Sequence, residues 1–250
     1  MSIALAAARL EARRLARSGL LAGLLLASAF FGLSGPALAL SLPEVLAAAG
    51  GSDQLTVEAA PATPAAGIAL FQQSAMQLGL ILAVVVAITG LSWDARPGSS
   101  VFYRTRVSRI ELLVLPRAIV GWIAAAVSHA LGLVLAALLT AVLIGPVDVD
   151  ALVRVGVAST GYLAMAMALG VLVMAATRRT ATAIAVSTVL VLILPVLGAV
   201  DAIAGWSPTS LLSAPDGALA GPMAAAISVA VAALVGSAAL ARRQELRRDA

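Results

Sequence analysis

Residues 92–117 read SWDARPGSSVFYRTRVSRIELLVLPR, and their reading decides the fold. Five arginines, Arg96, Arg104, Arg106, Arg109 and Arg117, fall in this one polar segment. Apolar runs long enough to cross a bilayer flank it on both sides. A loop between two such runs lies in water or at a membrane surface, and its arginines assign it to the cytoplasmic side. Pro97-Gly98 predicts a turn, and Ser99 or Ser100 can cap a short helix that begins near Val101.

The composition agrees with that reading. The chain is 62% hydrophobic and 11% charged, with a mean hydropathy of +1.06. Soluble domains carry roughly 25% charged residues, so no soluble core would absorb this much apolar side chain. The expected fold is all-α: a single transmembrane domain over residues 1–250 with six spans, an N-terminal amphipathic surface helix, and both termini cytoplasmic. The spans fall at about 19–40, 67–91, 116–144, 152–176, 180–200 and 221–240, each near the ~20 residues that hydrocarbon requires. Residues 92–115 form the cytoplasmic loop.

Within residues 1–18, Arg9, Arg13 and Arg17 recur every four residues and share one helical face, as in a helix lying on a membrane surface. Gly19 and Gly23 form a GxxxG at the start of the first span, followed by Gly32 and Gly35. Ala37-Leu38-Ala39 has the form of a signal-peptide cleavage site, but the apolar run before it is long for a signal peptide, so the span is expected to be retained. Residues 41–66 read as a Pro- and Gly-containing loop, with a short interfacial helix over residues 43–49. The 201–220 loop, with Trp206, is expected to dip into the interface.

Orientation follows from the arginines. Fifteen of sixteen fall on one side of this topology, and only Arg154 falls on the other. The opposite loops hold Glu44, Asp53, Glu58, Asp148, Asp150, Asp201 and Asp216. This distribution accounts for the basic pI without nucleic acid as a partner.

The chain is poor in reactive groups. It has no cysteine, and every basic residue is arginine, so no P-loop lysine exists. His129, the one histidine, reads as a packing residue in the third span, and Asp148 and Asp150 as a water-facing turn. No carboxylate is placed within a span to couple an ion gradient. Such a protein is passive or is driven by a partner. The loop offers a docking helix, with Val101, Phe102, Val107 and Ile110 as apolar contacts and Tyr103, Arg104, Arg106 and Arg109 as polar anchors. The competing use of those arginines is binding anionic lipid head groups.

At this loop the chain resembles a membrane subunit of the ABC-2 family of ATP-binding-cassette exporters. The resemblance lies in Asp94-Ala95-Arg96-Pro97-Gly98-Ser99, then residues 101–106, then Ser108-Arg109-Ile110-Glu111-Leu112, and in the layout of spans around them. The family's common Pro-Val-Ser-Arg step reads Arg106-Val107-Ser108-Arg109 here. The resemblance implies a permease in the plasma membrane, such as a bacterial inner membrane. It implies a second permease subunit, identical or a similar sister chain, and a separate ATPase subunit that hydrolyses ATP. The permease itself binds no cofactor and is not an enzyme. Val101, Phe102, Tyr103, Arg104, Arg106 and Arg109 become the coupling helix. The second and fifth spans line the cargo path, which nominates Phe71, Gln73, Met76, Gln77, Ser187 and Thr188. Spans this low in charge suit an amphipathic or apolar cargo, such as a drug, an antibiotic or a lipid. A passive channel or scaffold without an ATPase is the alternative, and a lipid-modifying enzyme is disfavoured for want of acid–base groups.

The topology is open to test. A reporter active only outside the cytoplasm should be active when fused after Gly145 and silent when fused after Arg179. The reverse pattern would overturn the assignment.

Overall fold

Apolar helix formers run through this chain with few interruptions, and every regular element among the described residues is helical. The structure, a computed structural model, describes residues 3–49, 62–92, 111–198, 207–212 and 219–246. The elements are α1 (Ile3–Arg17), α2 (Leu20–Ala49), α3 (Pro64–Ser74), a π turn (Ala75–Gly79), α4 (Leu80–Gly90), α5 (Glu111–Leu143), α6 (Val149–Thr177), α7 (Thr180–Gly198), a 3-10 turn (Pro208–Leu212) and α8 (Ala220–Leu246).

Five stretches are long and apolar enough to cross a membrane: Leu20–Val45, Pro64–Gly90, Leu113–Leu143, Val149–Thr177 and Ala220–Arg242. The protein is built as a membrane protein. α7 differs from these five. Its apolar part, Thr180–Pro195, is shorter; at 1.5 Å per residue it rises about 24 Å, less than the ~30 Å of a hydrocarbon core.

Two boundaries depart from the sequence reading. The first span, α2, does not stop near residue 40 but continues as helix to Ala49, with Pro36 and Pro43 inside it. Proline is tolerated within apolar helices where neighbours hold the backbone, and Pro36 is among the fully buried residues. The second long helix starts at Pro64 rather than 67. The Thr63 side chain accepts the Ala66 amide at 3.2 Å, and proline sits at the first helical position. Both are ordinary start signals.

The interior lies between α3–α4 and α6. Leu80, Ile88, Tyr162, Met165, Met167 and Val171 are almost wholly buried there. α2 and α5 pack together on one side of this pair, and α6 takes α8 against its other side. The ends of the bundle differ in chemistry. At one end Glu11, Arg14, Gly90 and Arg117 meet, near the Arg178–Arg179 turn that joins α6 to α7. At the other, Pro64, Asp148 and Pro195 meet. α7 thus starts beside one end of α6 and reaches the residues that precede its other end.

Helix approach is set by glycine. A Cβ on Gly132 of α5 would lie 2.5 Å from the Ser28 carbonyl oxygen of α2, and one on Gly32 would collide with the Gly132 carbonyl. A Cβ on Gly35 would lie 2.6 Å from the Phe71 amide nitrogen of α3. The Gly19–Gly23 motif plays no such part: neither residue would meet anything within 4 Å. Gly19 serves the elbow between α1 and α2 instead, with φ of 75°, a value glycine adopts without strain.

α1 buries Ala7, Glu11 and Leu15 and leaves Arg9, Arg13 and Arg17 exposed. Glu11 is a charge inside that apolar stripe. Its Oε1 accepts from Arg14 Nε at 2.8 Å and from a second Arg14 nitrogen at 2.5 Å. Arg117 lies just inside the span that the sequence reading began at residue 116; it is buried in α5, where it donates to the Gly90 carbonyl at 3.4 Å. That bond serves one of the carbonyls left without a helical partner at the end of α4.

Gly132→Leu should destabilise the fold by several kcal/mol, since the neighbour it strikes is backbone and cannot yield. Gly23→Leu should be close to neutral. Thermal unfolding of the two variants in detergent checks the difference.

Candidate functional site

Among the described residues, Gln72, Gln73, Gln77, Asp148, Thr209 and Ser210 line one cavity of about 880 Å³. Its rim is made by three chain reversals. Pro64 opens α3, Pro146 and Asp148 precede α6, and the 3-10 turn supplies Thr209, Ser210 and Leu212, with Pro195 of α7 beside them. Asp148 is the N-cap of α6 and accepts the Asp150 amide at 2.9 Å. The 3-10 turn packs on α6, α7 and α8. Its hydroxyls are satisfied locally: Ser207 and Thr209 share a 2.7 Å hydrogen bond, and Ser210 donates to the Ser207 carbonyl at 2.8 Å. Residues 207–212 are thereby held against the bundle.

One wall runs deep along α3 and the π turn through Gln72, Gln73, Met76 and Gln77. The π turn adds a residue to the helical repeat, with the Leu80 amide bonding to the Ala75 carbonyl. Gln72, Gln73, Met76 and Gln77 fall at i, i+1, i+4 and i+5, so they share one face of the helix. Such single π turns recur at functional sites. Gln73 and Gln77 are exposed on a helix long and apolar enough to cross a membrane. An amide has no partner in hydrocarbon, so these two side chains require water, a ligand or another protein surface.

Gln72 is held differently. It is 7% exposed, and its Nε2 donates to Ser159 Oγ of α6 at 2.7 Å. Ser159 passes its own proton to the Val155 carbonyl at 2.6 Å, so it can only accept from Gln72. This fixes which end of the amide faces α6. Gln72 Oε1 is buried and has no hydrogen-bond partner.

Of the six residues the sequence nominated for a cargo path, the cavity gathers Gln73, Met76 and Gln77. Phe71 is elsewhere. It is fully buried between α2 and α5, where its ring would touch a Cβ on Gly132 and lies 5.3 Å from the His129 ring. Ser187 is buried on α7 and Thr188 is half-buried, and neither lines the cavity. Val101, Phe102, Tyr103, Arg104, Arg106 and Arg109 lie outside the described residues. Sequence reading left Gln72 out of the nominated cargo path, and it did not show the α6 partner that orients it. The run Gln72-Gln73 inside an apolar stretch was the available signal.

His129 packs against Phe71, and its Nε2 is buried without a hydrogen-bond partner. Among the described residues no group of three or more His, Cys, Asp or Glu is placed to hold a metal ion. Among the described residues the cavity offers recognition: an apolar chamber with amides along one wall and the Asp148 carboxylate at its rim.

Ser159→Ala should cost about 1 kcal/mol of stability by removing the acceptor from a buried amide. Ser228→Ala, on the exposed side of α8, should cost much less, since its hydroxyl bonds only to its own helix at Ala224. Unfolding midpoints in detergent separate the two.

No protein-family model matches the chain, and no curated protein matches it.

Proposed function

We propose that the chain is the permease subunit of an ATP-driven exporter of the ABC-2 type, carrying an amphipathic or apolar cargo outward across a plasma membrane. The observation that carries this reading is the cavity. It is large enough for a small organic molecule and is lined at mid-helix by amides that have no reason to sit in lipid. The chain has no P-loop lysine with which to drive transport itself. Energy then comes from a separate ATPase subunit, and the 92–115 loop is the segment offered to it.

Six crossings fit this reading. Both ends of the chain and the Arg178–Arg179 turn are basic, so α6 and α8 each finish on the cytoplasmic side. α7 must carry the chain back outward between them. Its packing against α4 and α6 supports this, because a helix sheltered by neighbours crosses without a full-length apolar run of its own. The cavity rim at Asp148 then opens on the outer side. A second permease subunit, identical or similar, would close the exposed Gln73 and Gln77 face. α1, set against α2 and α5 with Glu11 over Gly90, ties the surface helix to the point where α4 enters the loop.

The decisive test is capture of the ATPase. Phe102→Ala combined with Arg106→Glu should leave the protein inserted and folded while co-purification of the ATPase drops at least tenfold and transport stops. The aromatic anchor alone is worth about 2 kcal/mol if it is a hot spot. Equal capture by wild type and variant, with transport intact, would overturn the coupling assignment and return those arginines to lipid anchoring.

A further inference from the structure

We propose that the exposed face of α1 binds the head groups of anionic phospholipids, with one lipid phosphate held between Arg13 and Arg17. The partner is the bilayer leaflet on the arginine-rich side of the protein, whatever the cavity carries.

Three observations carry it. First, the roll of α1 is fixed. Ala7, Glu11 and Leu15 are buried against the bundle, where α1 packs on α2 and α5. The acid in that stripe, Glu11, is paired with Arg14 one turn on. Residues four apart share a helical face, so Arg9, Arg13 and Arg17 fall together on the side away from the bundle, and all three are exposed. Successive members of such a row stand about 6 Å apart at Cβ. Two guanidinium groups at that spacing can donate to one phosphate.

Second, apolar side chains are exposed on the same helix. Ile3, Leu5 and Leu10 each show about half of their surface. Leucine beside arginine on an open helix suits the zone where head groups meet hydrocarbon. There the leucine and the arginine stem lie against acyl chains while the guanidinium reaches the phosphates. Third, α1 runs into the membrane without a spacer. Ser18 and Gly19 join it to Leu20, where the first apolar stretch begins. Arg17 and Arg13 stand three and seven residues before that stretch, which places them at head-group depth. This continuity favours lipid over a protein partner, because it holds the row at the bilayer whatever else assembles on the chain.

Charge then selects among lipids. A choline head group cancels the charge of its own phosphate, whereas a glycerol head group leaves it. Each arginine at the surface favours the anionic lipid about fivefold.

Quenching of a single label tests this. The chain has no cysteine, so Ala16→Cys, exposed beside the row, takes one bimane. The labelled full chain is placed in phosphatidylcholine nanodiscs doped with either phosphatidylglycerol or phosphatidylcholine brominated on the upper acyl chain. Half-quenching should need at least about fivefold less of the brominated glycerol lipid, and the difference should shrink at high salt. Arg13→Gln combined with Arg17→Gln should make the two lipids equally potent; should that variant not fold, the comparison of the two lipids on the intact row still decides. Arg154→Gln, an exposed site near the Asp148 end of α6, should leave the preference unchanged. Soluble glycerol phosphate should not relieve the quenching, which separates a membrane-held head group from free phosphate. Equal potency of the two lipids on the intact row, a preference that survives loss of both arginines or falls as much with Arg154→Gln, or relief by glycerol phosphate would each overturn the proposal. Quenching by neither lipid would also overturn it, and would turn this face to water or to a protein partner. No ATPase or cargo enters this assay, so its outcome is separate from that of the export reading.

Discussion

The structure depends on the backbone contact between α2 and α5 at Gly32 and Gly132. Within a membrane, lipid tails are as apolar as leucine, so helices gain nothing by hiding hydrophobic side chains from them. They associate through close packing and hydrogen bonds, and close packing needs positions without a Cβ. Gly32 and Gly35 give α2 such a face, and the Ser28 carbonyl lies against Gly132 beside them. Gly132 receives it on α5, and Phe71 of α3 is wedged into the same junction. The position of α3 is thereby fixed, and so is the wall that α3 presents to the cavity.

From that wall the argument passes to polar groups. One residue past Phe71, the amide of Gln72 reaches α6 through Ser159, and a π turn follows at Ala75–Gly79. The same helix is therefore packed hard on one side by Phe71 and left open on the other. This division explains why Phe71 packs between α2 and α5 although it neighbours Gln72 in sequence. Successive residues on a helix are about 100° apart, so adjacent side chains serve different surfaces.

Charge is handled at the opposite end. Glu11 is buried above the last turn of α4, paired with the partly exposed Arg14 of its own helix, and Arg117 bonds to the Gly90 carbonyl. Buried ion pairs contribute little net stability, because desolvation offsets their attraction. Their strength is in position, since removing one partner leaves an uncompensated charge. Here they define how α1, α4 and α5 meet at the mouth of the 92–115 segment.

The amino-acid sequence by itself determined that this is a helical membrane protein, where its apolar runs lie, and which loops are basic. These are properties of composition and period, and a 20-residue run cannot conceal them. It also marked the Arg178–Arg179 turn and the glutamines after Phe71. It did not reveal that α2 continues through Pro43, because proline reads as a stop unless neighbouring helices hold the backbone. Nor did it separate the glycines that bring helices together from those that do not: Gly19–Gly23 and Gly32–Gly35 look alike until Gly132 is set against one of them. The π turn, the burial of Glu11 and Arg117, and the bond that orients Gln72 were decided only by tertiary structure. Each depends on a partner 27 to 87 residues away in the chain, or on a helix whose face is chosen by its neighbours.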